Sequence, residues 1–182
     1  MNKRFYIFDL DGTLCDSMGW WRRETEHIEN FRDFELMEGA YRNMREHYRD
    51  DVRLKYGVRE FLERSRADGV KMCIATGTRR DVAEPFLEKT GLLDFMEFFI
   101  DCHEVGRFKE HPDIYLLSAE RLGAEISECA VFEDSAYSAE TARKAGFYVV
   151  GIIDEVTGTE GDVREFADIA VKEWRELDLA RV

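Results

Sequence analysis

The sequence lacks the features that mark membrane, secreted or zinc-stabilised proteins. No apolar stretch approaches the ~20 residues that a membrane-spanning helix requires. The first apolar run, Phe5–Phe8, is short and ends at an aspartate, so it does not predict a signal peptide. The four cysteines lack Cys-x-x-Cys spacing, and Cys73 and Cys129 lie in apolar runs, as core thiols do. We therefore expect a cytoplasmic protein.

Positive charge is also in short supply. The 26 Lys and Arg residues are outnumbered by 39 Asp and Glu residues, which gives a formal net charge of −13. This balance disfavours nonspecific binding to nucleic acid or to an anionic membrane, and we expect neither as a partner. A small phosphorylated substrate remains compatible with it, because a bound cation and oriented amides can reverse the field locally. The sequence leaves the oligomeric state open.

Hydrophobic patterning predicts an α/β fold. The chain of 182 residues suffices for one domain with a modest insertion. Five short apolar runs alternate with helical patterns, which predicts a parallel sheet of about five strands with helices on both faces. A weak sixth run, Ile169–Val171, could add an edge strand. The five runs are Phe5–Phe8, Val70–Ala75, Phe98–Ile100, Ala130–Phe132 and Tyr148–Ile152.

The segment from Ser17 to Tyr56 contains helical patterns and no strand pattern. It forms either a helical hairpin with solvated arginines or a small cap whose arginines face an anionic substrate. The candidate arginines are Arg22, Arg23, Arg42 and Arg45, and its one lysine, Lys55, is assigned to the surface. The first predicted helix carries Trp20, Trp21, Glu24, Ile28 and Phe31, and the second carries Met37, Tyr41, Met44 and Tyr48.

Two carboxylates follow the first apolar run directly. Asp9 and Asp11 would lie at the carboxyl end of a buried strand, where open α/β sheets bind ligands. Residues two apart share one side of a strand, and two carboxylates so close repel unless a cation or a shared proton lies between them. Gly12 permits a sharp backbone exit, and Thr13 can hydrogen-bond within the turn.

The full string Asp9-Leu-Asp-Gly-Thr-Leu resembles the first motif of the haloacid dehalogenase-like superfamily, most of whose members are phosphatases. That family places three further motifs at the ends of later strands. Thr76, followed by Gly77 and Thr78, matches the second, where a hydroxyl and amides near a helix start can bind phosphate oxygens. Lys109 matches the third, as a compact charge that can bridge the nucleophile and a phosphate oxygen.

The fourth motif is the acidic pair Glu133-Asp134. Hard divalent ions take oxygen ligands, so the resemblance implies a Mg²⁺ site. Asp134 is the first choice as ligand, with Glu133 as a second ligand or a supporting group. Where the family often has Pro and Gly, this chain has Ala136 and Ser138.

The resemblance covers roughly residues 4–16 and 57–153, and it implies a Rossmann-like core with a cap inserted after the first strand. We therefore expect a core of residues 1–16 and 57–182 and an all-helical cap of residues 17–56. About 40 residues is short for a cap of the phosphoglycolate phosphatase or β-phosphoglucomutase type. A truncated cap would leave the site more open.

By resemblance, Asp9 attacks phosphorus and forms an aspartyl-phosphate, while Asp11 protonates the leaving oxygen and then activates water. Mg²⁺ would be held by Asp9, Asp134 and the backbone carbonyl of Asp11. Thr76 and Lys109 would hold the phosphoryl oxygens. The remaining candidate phosphate- or substrate-binding residues are Leu10, Gly77, Thr78, Arg22 and Arg45.

The expected function is thus a Mg²⁺-dependent phosphatase that acts on a small phosphorylated metabolite. A phosphomutase of the β-phosphoglucomutase type is the alternative within enzymes. A receiver-like signalling domain and a catalytically silent binding protein are the alternatives of another class.

Overall fold

The computed structural model describes residues 3–29, 34–157, 162–179 and 182. Within those ranges six strands form one parallel sheet in the order β3-β2-β1-β4-β5-β6. The predicted parallel α/β architecture is confirmed, and the weak sixth run is indeed an edge strand. The strands are β1 (Phe5–Phe8), β2 (Lys71–Thr76), β3 (Phe98–Asp101), β4 (Cys129–Glu133), β5 (Tyr148–Ile152) and β6 (Ile169–Val171).

Helices cover both faces of the sheet. Apolar side chains of the central strand point alternately to the two faces, so both faces need a covering layer. Tyr6 and Phe8 of β1 are buried in one apolar cluster, and Ile7 is buried in a second. The helices are α1 (Met18–Thr25), α2 (Phe34–Asp50), α3 (Val58–Ala67), α4 (Arg80–Thr90), α5 (Cys102–Val105), α6 (Asp113–Leu122) and α7 (Ala136–Lys144). Among the described helices, none is long and apolar enough to cross a membrane.

The first face of the sheet is rich in aromatic rings. Phe61 of α3 stacks on Tyr6 with ring centroids 6.0 Å apart, and the Trp174 ring lies parallel to Phe132 at 5.6 Å. Fully burying one such side chain contributes about 1.5–3 kcal/mol. On the second face, α6 and α7 pack through small and aliphatic residues such as Ala139.

The strand order positions the site. It reverses between β1 and β4, because β1 pairs with β2 on one side and with β4 on the other. Ligands of open α/β sheets bind beyond the carboxyl ends of the strands at such a reversal. The aspartates after β1 and the acidic pair at the end of β4 border that crevice.

Helices α1 and α2 occupy the segment that follows β1. Helix α2 packs along α4, and its residues Met44 and Tyr48 are buried in the same cluster as Phe8. The first predicted helix proves shorter than expected, because α1 ends at Thr25 and Ile28 follows in a turn. Phe31, the last residue of that prediction, lies outside the described residues. The division into core and cap stays a prediction.

Candidate active site

Three buried carboxylates meet beyond the ends of β1 and β4. One carboxylate oxygen from each of Asp9, Glu133 and Asp134 lies within 4.8 Å of the other two. Asp9 is held by its amide, which donates to the Phe132 carbonyl at 3.0 Å. Such a cluster is stable only if protons or cations compensate the like charges.

Lys109 supplies one compensating charge. Its Nζ donates to Asp9 Oδ1 at 2.5 Å and to Glu133 Oε1 at 2.6 Å, and its side chain is 4% exposed. The Tyr115 hydroxyl donates to the same Glu133 oxygen at 2.6 Å. Lys109 and Tyr115 flank the start of α6, so the third motif delivers both groups to the cluster.

The electrostatics follow from burial and crowding. Burial raises the pKa of Asp9 well above its usual range; the Lys109 ammonium opposes this shift and Glu133 adds to it. Burial, reinforced by Glu133, raises the pKa of Asp134 to about 7. Burial alone would lower the pKa of Lys109, but Asp9 and Glu133 outweigh it and hold that pKa well above its usual value. If all three carboxylates are ionised, their negative charge exceeds the single positive charge of Lys109.

The loop after β1 closes tightly against Asp134. Gly12 has a φ of 78°, and a Cβ built there would overlap Asp134 Oδ2. Thr13 Oγ1 donates to Asp134 Oδ1 at 3.3 Å, which is a longer-range role than the turn contact the sequence predicted. Glycine at this position is thus required both by backbone conformation and by space.

A support for Asp134 comes from the loop after β5, which sequence reasoning missed. Thr157 Oγ1 donates to Asp134 Oδ2 at 2.5 Å. The Thr157 amide in turn donates to Asp154 Oδ1 at 3.1 Å, and Lys55 pairs with Asp154 Oδ2 at 2.6 Å. Lys55 was assigned to the surface, but its side chain is only 17% exposed because this ion pair draws it against the loop.

Asp11 accepts hydrogen bonds on both of its oxygens. Thr78 Oγ1 donates to Oδ2 at 2.7 Å. Ser17 Oγ donates to Oδ1 at 2.6 Å, Trp21 Nε1 donates at 3.1 Å, and the Tyr48 hydroxyl also donates to Oδ1. Trp21 of α1 and Tyr48 of α2 are therefore both donors to this carboxylate. The only sequence signal for Tyr48 was its place on the apolar face of α2.

The second motif lies at the end of β2, as expected. Thr76 is fully buried, and its Oγ1 accepts a hydrogen bond from the Thr78 amide at 3.0 Å. Thr76, Gly77 and Thr78 all line the cavity over the carboxylates. Leu10 is fully buried in the core, so only its backbone is left to contact a phosphate.

A cavity of about 390 Å³ opens onto these groups. The described residues that line it include Asp9, Asp11 and Lys109 but neither Arg22 nor Arg45. Arg22 Nη2 instead donates to the Val156 carbonyl at 2.7 Å, and Arg45 is exposed. The structure thus brings the motif residues together and leaves the two arginines outside.

The donor set suits a hard divalent cation. The three clustered ligand atoms are carboxylate oxygens, and Mg²⁺ and Ca²⁺ are bound by oxygen ligands. Asp11 is not part of this three-carboxylate cluster, and its side-chain oxygens are occupied by other donors. A contribution from Asp11 would therefore come through its backbone carbonyl.

Comparisons with known proteins agree with this arrangement. The family model of haloacid dehalogenase-like hydrolases matches residues 4–146. Protein CbbY of Rhodobacter capsulatus is 35% identical over 71% of this chain and 55% of its own length. Validoxylamine A 7′-phosphate phosphatase of Streptomyces hygroscopicus is 26% identical over 94% of each chain. The crystal structure of CbbY from Rhodobacter sphaeroides in complex with phosphate superposes with a TM-score of 0.81, at 18% identity and 96% coverage of each chain, which indicates a common fold.

Proposed function

The chain belongs to the haloacid dehalogenase-like hydrolase family, on its phosphatase branch, and we propose that it is a Mg²⁺-dependent phosphatase acting on a small phosphate monoester. One observation carries the proposal. Lys109 is clamped between Asp9 and Glu133 beside a third buried carboxylate, at a cavity into which a phosphoryl group would fit.

In the proposed reaction, an Asp9 carboxylate oxygen attacks phosphorus as the bond to the leaving oxygen breaks, which forms an aspartyl-phosphate. Asp11 enters this step protonated and gives that proton to the leaving oxygen. A water molecule then attacks the aspartyl-phosphate and gives its proton to Asp11, which restores Asp9 and releases phosphate.

The remaining residues position charge. Lys109 Nζ and the Thr76 hydroxyl hold the phosphoryl oxygens, and the Gly77 amide adds a donor at the approach to α4. Asp9, Asp134 and the backbone carbonyl of Asp11, with Glu133, would hold Mg²⁺. The cation would neutralise the crowded carboxylates and stabilise the charge of the transferred group.

The relatives indicate what kind of ester is involved. One of them is named for a phosphatase acting on validoxylamine A 7′-phosphate, and another was solved with phosphate bound. We place the substrate among soluble phosphorylated metabolites. We place the protein in the cytoplasm, since its four cysteines are all free and buried, as in a reducing compartment.

The proposal is tested by phosphate release from a panel of phosphorylated metabolites, with Mg²⁺ and with a chelator. We expect turnover that the chelator abolishes and that Asp9→Asn lowers by at least about a thousand-fold, because the nucleophile is lost. Circular dichroism of the variant controls for folding. Isomerisation of a sugar phosphate faster than its hydrolysis would instead favour the mutase, and no phosphate release would contradict the proposal.

A further inference from the structure

The wall that α1 and α2 contribute to the cavity is built mainly from apolar and aromatic side chains. Met18 and Trp21 of α1 and Met37 and Tyr41 of α2 line the same space as the catalytic carboxylates. The Trp21 and Tyr41 rings meet edge to face, with centroids 6.1 Å apart. This wall offers the leaving group contact area and few charges.

Two further aromatic side chains extend this surface. Phe108 and Tyr137 line the cavity and are 53% and 51% exposed, respectively. Large aromatic side chains left half exposed beside a cavity commonly mark a binding surface. In the sequence, Phe108 directly precedes Lys109, and Tyr137 lies three residues after Asp134.

Among the residues that the structure describes, the cavity lining offers no cation for a second anionic group. Lys109 is the one basic residue among the described residues of its lining, and its Nζ already bridges two carboxylates. Arg79, whose guanidinium lies 4.9 Å from the Tyr41 ring, forms ion pairs with Glu38 and Asp81. In this cavity, a second phosphate or a carboxylate on the substrate would lie near carboxylates and would lack a positively charged partner.

Three hydroxyls of the lining are already used within the protein. The hydroxyls of Thr25, Thr78 and Thr157 line the cavity and donate their protons within the protein, to the Trp21 carbonyl, Asp11 and Asp134. Ser138 Oγ is buried at the lining and has no hydrogen-bond partner within the described part of the chain. It stands where the family often has glycine.

From this lining we infer that the preferred substrates are monophosphate esters of uncharged alcohols whose aliphatic or aromatic body packs against the side chains of α1 and α2. The phosphoryl group binds at the carboxylates and Lys109, and the alcohol part contacts the side chains of α1 and α2. The inference rests on the proposed phosphatase function and adds the class of its leaving group.

The first test compares kcat/KM for benzyl phosphate and hexyl phosphate with that for phosphoglycolate and fructose 1,6-bisphosphate, all with Mg²⁺. We expect the two apolar esters to be at least roughly tenfold better substrates, because the charged ones leave an anion unpaired. A preference for phosphoglycolate or the bisphosphate would overturn the inference and leave the phosphatase function standing. Failure of every substrate would count against the phosphatase function itself.

A matched pair of variants locates the determinant. Met37→Lys adds a cation to the apolar wall, and we expect it to raise kcat/KM for phosphoglycolate at least about fivefold and to lower that for benzyl phosphate. Leu36→Lys adds the same charge to the neighbouring position of α2, which is 44% exposed and outside the cavity lining, and should change neither value. Equal effects of the two variants, or an unchanged preference in Met37→Lys, would overturn the inference.

Discussion

Gly12 leaves no room for a side chain beside Asp134. An alanine there would be strained by roughly 1–2 kcal/mol in its left-handed conformation, and its Cβ would displace the Asp134 carboxylate. We expect Gly12→Ala to weaken Mg²⁺ binding by at least about tenfold, measured by calorimetry. Gly39→Ala, at a helical glycine with no atom within 4 Å of the added Cβ, is the control and should bind Mg²⁺ as the wild type does. Wild-type affinity in Gly12→Ala would contradict the close approach.

Tyr48 reaches Asp11 from α2 without lining the cavity. We expect Tyr48→Phe to lower kcat about tenfold with little change in KM, because it loosens the acid–base group and leaves the binding surface intact. Steady-state kinetics on the best substrate measure the split between the two constants. Tyr56→Phe, which removes a hydroxyl from a residue that is 67% exposed, should change neither constant. An unchanged kcat in Tyr48→Phe would show that the tyrosine does not position Asp11.

Sequence reasoning at this scale found the residues that belong to motifs and missed those that support them. The motif residues could be identified because each follows or precedes a recognisable strand or helix; they are Asp9, Thr76, Lys109 and Asp134. Tyr48 and Thr157 could not, because the contacts that give them a role depend on tertiary packing across 37 and 23 residues of chain.

Between elements, the ion pair of Lys55 and Asp154 joins the connection between α2 and α3 to the loop after β5. Breaking a pair that is largely buried leaves one charge uncompensated. We expect Lys55→Met to lower the free energy of unfolding by about 1–3 kcal/mol and to weaken Mg²⁺ binding, since Thr157 and Asp134 lose support. Chemical denaturation and calorimetry measure the two effects.

A neighbouring pair provides the control. Lys172 and Glu155 form an ion pair at 2.8 Å whose side chains are 64% and 80% exposed. Lys172→Met should change stability little, as the loss of an exposed pair does, and leave Mg²⁺ affinity unchanged. Equal losses of stability in Lys55→Met and Lys172→Met would contradict the support assigned to Lys55.

Helices and strands were predictable where periodicity and end signals agree. The run Phe5–Phe8 is β1 with the same bounds, and α6 ends at Leu122, directly before Gly123, whose φ is 70°. The first inserted helix was overestimated, because an apolar face can continue past a helix end into a turn, as at Ile28. Arg22 and Arg45 were candidates because they lie in the helical segment after β1, and that position does not determine which way a side chain turns.

For the whole molecule, the carboxylate cluster couples stability to pH and to Mg²⁺. The pKa of Asp134 is about 7 in the folded chain against an ordinary value of 3.8. This group's contribution to stability is therefore complete below about pH 4 and is lost as the pH rises through about 7. Mg²⁺ binds the deprotonated carboxylates, so it should restore the stability lost at higher pH.

We expect Mg²⁺ at a hundredfold excess over its Kd at pH 8 to add about 2.7 kcal/mol, which corresponds to roughly 5–10 °C in Tm. The same concentration at pH 5 should give less than half of that shift. Differential scanning calorimetry at the two pH values measures it. Asp134→Asn, which cannot deprotonate, should reduce the difference between the two pH values. A larger Mg²⁺ effect at pH 5 would contradict the assignment.

The most direct test of the central claim is to look for phosphate on Asp9. A reaction of the wild-type protein with its best substrate and Mg²⁺ is quenched in acid, digested, and mapped by peptide mass spectrometry. We predict a phosphorylated peptide that spans Asp9, with the modification on that residue and absent from Asp9→Asn. Steady phosphate release with no phosphorylated aspartate, or with the phosphate on another residue, would contradict the account.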